Sequence, residues 1–120
     1  MDPEILVRVE RLAERKGNFA APAYFWVLRV LEFTRRRLRR AGHVSGRELA
    51  EGARDLALEE YGPMALEVLQ HWGLRTTTDI GRIVYDLIEE EILKKTEEDS
   101  LDDFADVYEF REAFLRDDPW

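Results

Sequence analysis

The hydrophobic period of this chain changes once, at Leu93, and no other feature limits the available folds as much. Before it, apolar residues recur at helical spacing in five successive segments. After it, Phe104, Asp106, Tyr108 and Phe110 alternate with Ala105, Val107 and Glu109, the two-residue period of a strand. A hairpin that pairs this stretch with Leu93 to Thr96 is the natural completion. The expected fold is therefore mainly α with a C-terminal β-hairpin.

The helices are punctuated clearly. Asp2 and Pro3 suit the cap and first turn of a helix that runs to Gly17. Pro22 opens a second, whose first turns (Ala23 to Leu28) are apolar nearly all round, as in a helix central to a core or covered by another subunit. Ser45-Gly46-Arg47-Glu48 is a capping box that starts the third, and Gly62-Pro63 stops it. The fourth, Met64 to Trp72, ends at Gly73, with Leu74 placed to fold back on Leu69. A threonine among Thr76, Thr77 and Thr78 caps the fifth, whose stripe is Ile80, Ile83, Val84, Leu87 and Ile88. Arg111 to Leu115 suits one further helical turn. The spacing predicts a single five-helix domain over residues 1–116, with 117–120 as a tail. Its last three helices and hairpin resemble a winged helix.

The charge contradicts the usual work of such a fold. Residues 1–60 hold 12 Lys and Arg against 10 Asp and Glu, whereas residues 61–120 hold 6 against 16. The acids concentrate where a winged helix would meet DNA, at Glu90, Glu91, Glu97, Glu98, Asp99, Asp102, Asp103 and Asp106, and would repel phosphate. They suit a basic partner, or a solvated loop that keeps the protein dispersed. An EF-hand is excluded, because Leu101 falls on the third position counted from Asp99 and no glycine follows.

The basic counterpart is Arg35, Arg36, Arg37, Arg39 and Arg40 around Leu38. On a helix these form a collar around the C-terminal end, where each cation complements the dipole by roughly 0.3–1 kcal/mol. Guanidinium forks also grip phosphate, so nucleic-acid binding is the functional alternative to pairing within the chain.

Catalytic equipment is sparse. Cysteine is absent, which removes disulfides, thiolate metal sites and Cys nucleophiles. His43 and His71 form no metal-binding motif, Ser45 is committed to capping, and no glycine-rich phosphate loop exists. No metal or cofactor is expected. No run approaches the ~18 apolar residues of a membrane span, and the N-terminus lacks an apolar signal core, so a cytoplasmic protein is expected. Arg far outnumbers Lys, and Asn18 and Gln70 are the sole side-chain amides, which fits a protein that works hot or a high-GC genome.

Several stretches taken together carry a resemblance: His43-Val44-Ser45-Gly46-Arg47-Glu48-Leu49, His71-Trp72-Gly73-Leu74, Thr78-Asp79-Ile80-Gly81, then Lys95 to Ser100 and Asp103-Phe104. In this order they resemble an uncharacterised family of small bacterial single-domain proteins, across about Pro22 to Phe114. The resemblance implies no activity, ligand or catalytic residue.

The leading expectation is a non-catalytic interaction module that docks a protein partner through its acidic helix–hairpin surface. The apolar second helix leaves room for a homodimer. Nucleic-acid or nucleoprotein binding through the Arg35–Arg40 collar is the alternative, and an unrecognised enzyme the third reading. The placement of the arginines separates the first two: an open patch favours nucleic acid, and guanidiniums pinned by carboxylates count against it.

Overall fold

Asp2 accepts a hydrogen bond from the Glu4 amide at 2.9 Å, and Pro3 occupies the first turn, where its missing N–H costs nothing. This start opens α1 (Pro3–Lys16), which ends at Gly17 in the left-handed region (φ 71°). A computed structural model describes residues 2–94 and 100–115 of the chain. Beyond α1 it contains α2 (Ala21–Leu38), α3 (Gly46–Tyr61), α4 (Ala65–His71), α5 (Thr77–Glu89) and α6 (Phe110–Phe114). Two 3-10 turns, Gly62–Met64 and Leu101–Phe104, join them.

The local signals read from the sequence hold. Ser45 accepts from the Glu48 amide at 3.1 Å while Glu48 accepts from the Ser45 amide at 3.0 Å. Thr76 is the cap of α5, in a second reciprocal box with Asp79. After α4, Leu74 donates to the Leu69 carbonyl at 2.9 Å and Gly73 to that of Gln70 at 3.0 Å, which is a Schellman closure. Gly73 has φ 98°, and a Cβ there would lie 2.7 Å from the Asn18 carbonyl oxygen, so only glycine fits this junction.

α2 is the central element. Tyr24, Trp26, Val27 and Val30 are fully buried, and α1, α3 and α5 all pack on it. Most of its apolar first turns are therefore taken up within the chain, with Phe25 and Leu28 half-buried. A helix with Val9 and Leu12 on one side and Ile80, Ile83 and Leu87 on another needs no single wide stripe.

The end of the chain corrects the sequence reading. There is no strand among the described residues, hence neither a β-hairpin nor a winged helix. α5 ends at Glu89, short of Leu93, and Glu90 to Leu93 form a turn with Glu91 at φ 60°. Of the expected hairpin strand from Leu93 to Thr96, Lys95 and Thr96 lie outside the described residues, as does the tail at 117–120. Leu101–Phe104 is a 3-10 turn, Asp106 has φ 51°, and a helix begins at Phe110.

Two physical causes replaced the strand. Asp106 in the left-handed region breaks the extended path, which Asp tolerates better than most residues. The backbone groups that a partner strand would satisfy find partners on helices. The Thr77 hydroxyl donates to the Phe104 carbonyl at 2.5 Å and accepts from the Val107 amide at 3.3 Å. Tyr108 donates to the Ala50 carbonyl at 2.7 Å.

The alternating aromatics are thus anchors along a strap (residues 100–115) that crosses α3, α4 and α5. Phe104, Phe110 and Phe114 are buried, and the rings of Phe110 and Phe114 meet edge to face at 5.3 Å. Small residues make room for the strap. A Cβ on Gly81 would lie 2.6 Å from the Phe104 ring, and one on Gly46 would lie 2.8 Å from Asp103.

Candidate functional site

The acidic set divides into three parts. Glu90 is half-buried and bound: its carboxylate meets Arg15, and its carbonyl accepts from Arg8. Beside it, Glu89 pairs with Lys16 at 3.0 Å, and Asp86 lies 3.8 Å from the same ammonium. Acids at a helix C-terminus oppose its dipole, and the basic side chains of α1 offset that repulsion. Glu97, Glu98 and Asp99 lie outside the described residues.

The third part is the strap. Glu91 precedes it, exposed and without an ion pair among the described residues. Asp103 accepts from the Ser100 amide at 3.1 Å and is committed to a capping box. Asp102 and Asp106 are exposed, joined by Glu109 and Glu112. None of these four makes an ion pair with the described residues. Arg75 and Arg82 border the same shallow groove as Asp106, Glu109 and Glu112, although Arg82 is held by Asp79 at 2.5 Å.

The arginine collar is largely tied down. Arg37 pairs with Asp55 and lies over the Phe33 ring at 5.3 Å. Arg40 binds Glu48 at 2.7 Å. That guanidinium, with the Ser45 amide, pulls the Glu48 carboxyl down to about 2. Arg35 lies 3.7 Å from Glu32 and donates through Nε to the Gly42 carbonyl at 3.1 Å. Arg36 and Arg39 remain exposed without ion pairs among the described residues, Arg39 at φ 53° as the cap of α2. Three of the five predicted basic residues therefore have carboxylate partners.

Sequence reasoning missed two features. One is a polar contact at the edge of the core, where the Tyr24 hydroxyl donates to Asp86 at 2.6 Å. Burial, and then Asp86, push the Tyr24 hydroxyl far above the usual phenol range, so it is a fixed donor rather than a titrating acid. The other is a cleft of about 450 Å³ between α2, α3 and α5. Val27 and Leu31 on α2 face Val84 and Ile88 on α5, and Arg35, His43 and Lys94 stand among the lining residues. A signal for it was present: Val27, Leu31 and Arg35 recur every four residues, as do Val84, Ile88 and Ile92.

Among the described residues, no cluster of three or more His, Asp or Glu side chains could hold a metal ion. His71, at the end of α4, is exposed. No described helix is long and apolar enough to cross a membrane. No family model matches the chain, and neither a curated protein nor a solved structure matches it.

Proposed function

We propose that this chain is a non-catalytic interaction module that docks a basic protein partner through its acidic strap. The observation that carries the reading is the state of Asp102, Asp106, Glu109 and Glu112. All four are exposed and lack ion pairs among the described residues, on a segment held by the buried rings of Phe104, Phe110 and Phe114. Charges on a pre-positioned backbone meet a complementary surface without first having to order a loop. The arginines of the collar are in the opposite condition, since carboxylates already occupy three of them.

The test is affinity capture from a lysate of the source organism, with and without nuclease, using the wild-type chain and a triple variant, Asp102→Lys, Glu109→Lys and Glu112→Lys. The expected result is a discrete basic protein retained by wild type after nuclease and lost by the variant, with the melting temperature unchanged. Retention of the same partner by the variant rejects the strap as the docking surface. Arg36 and Arg39 support the alternative reading, nucleic-acid binding. Capture abolished by nuclease, with a log–log salt slope of about −0.9 per duplex phosphate neutralised, would establish it in place of protein docking.

A further inference from the structure

The cleft between α2, α3 and α5 is chemically unlike the rest of the surface. The chain carries 26 Asp and Glu among its 120 residues, yet none of the described residues that line the cleft is acidic. Its walls are mostly aliphatic, with Tyr85 and Phe104 among them, and the basic side chains among the described lining residues are Arg35, His43 and Lys94. The Arg35 Nε–Gly42 bond fixes that guanidinium to the loop bearing His43. The volume of about 450 Å³ lies within the range of roughly 300–1,000 Å³ typical of small-molecule sites. A packing gap of this size open to water would leave apolar walls hydrated, which interiors normally avoid.

We propose that the cleft binds a small amphipathic anion, an aliphatic carboxylate whose chain lies against the half-buried Leu31, Val84 and Ile88 and whose head meets Lys94. Arg35, which also lies 3.7 Å from Glu32, stands beside it. The apolar walls supply affinity in proportion to chain length, and the cations exclude neutral analogues from equal binding. This site is separate from the acidic strap and does not depend on the docking proposal.

The experiment is titration calorimetry of the full chain with hexanoate, octanoate and decanoate, with decanol as the neutral probe, alongside amide shift mapping with decanoate. Each added methylene should tighten binding by about fourfold until the cleft is filled. Decanoate should bind at least several-fold more tightly than decanol, with shifts centred on Leu31, Val84 and Ile88. Lys94→Glu should weaken decanoate several-fold and leave decanol unchanged, since Lys94 is an exposed residue outside the core. Equal affinity for decanol and decanoate would overturn the anion site, as would an unaltered decanoate affinity in the lysine variant. Shifts centred elsewhere, or no binding at millimolar concentration, would overturn the cleft itself. Because the mapping uses the wild-type chain, the test stands even if a cleft-filling variant such as Val84→Trp fails to fold.

Discussion

The arginine end of α2 and the acidic strap are both dense in charge, and they are built in opposite ways. In the first, a regular helix sets the backbone and neighbouring carboxylates hold the charges, as in Arg37–Asp55 and Arg40–Glu48. In the second, buried rings and Thr77 hold an irregular backbone, and its outward carboxylates make no ion pair among the described residues. A run of like charge in a sequence therefore does not define a surface. What matters is whether the fold places counter-charges around it. Here three of the five arginines have carboxylate partners, whereas Asp102, Asp106, Glu109 and Glu112 of the strap have no ion pair among the described residues.

The largest effect should come from the anchors. Phe104→Ala removes a buried ring set against Gly46 and Gly81 and should cost about 3–5 kcal/mol in urea unfolding. A loss below about 1 kcal/mol would mean that the strap rests on the helices without being part of the core. Next comes Thr77→Val, which keeps the volume but leaves the Phe104 carbonyl and the Val107 amide without their partner. About 1–3 kcal/mol is expected. A neutral result would show that water replaces the hydroxyl and that the strap is looser than its anchors imply.

The basic side is tested by pH. The folded Glu48 carboxyl is held at about 2, below its ordinary value of 4.5. Its contribution is thus fully present above about pH 4.5 and fades as pH falls toward 2. Glu48→Gln should cost about 1 kcal/mol at pH 7, through the weakened cap and ion pair. The difference from wild type should narrow steadily in unfolding measurements taken down to pH 2.5, and a constant difference would remove Arg40–Glu48 from the account. The smallest effect belongs to Asp102→Lys, which should change stability by no more than about 0.5 kcal/mol because its carboxylate has no charged partner among the described residues. A larger loss would reveal a structural commitment and weaken the docking proposal.

How much of this was legible in the sequence follows from range. Caps and helix stops act within a few residues, so Asp2, Ser45–Glu48, Thr76 and the Gly73–Leu74 closure could be placed from local pattern alone. The strap could not. Its alternation of Phe104, Tyr108 and Phe110 matches a half-buried strand, and nothing local states that Thr77 and Ala50 will satisfy its polar groups. The left-handed turn falls on an aspartate, so no glycine marked it. The fate of the collar was hidden for the same reason, since Asp55 and Glu48 reach it only once α3 has packed on α2. The cleft needed two stripes to be recognised as facing one another, and each alone reads as ordinary core.

The strap also sets the order in which this domain can be made. Its buried rings come from residues 104–114, yet they cover surfaces on helices that leave the ribosome well before them. A nascent chain that has reached only Leu93 has its central helices but lacks three of its core aromatics. Until Leu101 to Phe104 are synthesised and free to dock, the faces around Gly46 and Gly81 stay uncovered, and the Phe110–Phe114 pair follows later still. Completion of the fold is then a late, cooperative step, and chains halted a little short of it should be poor folders and ready targets for chaperones and proteases.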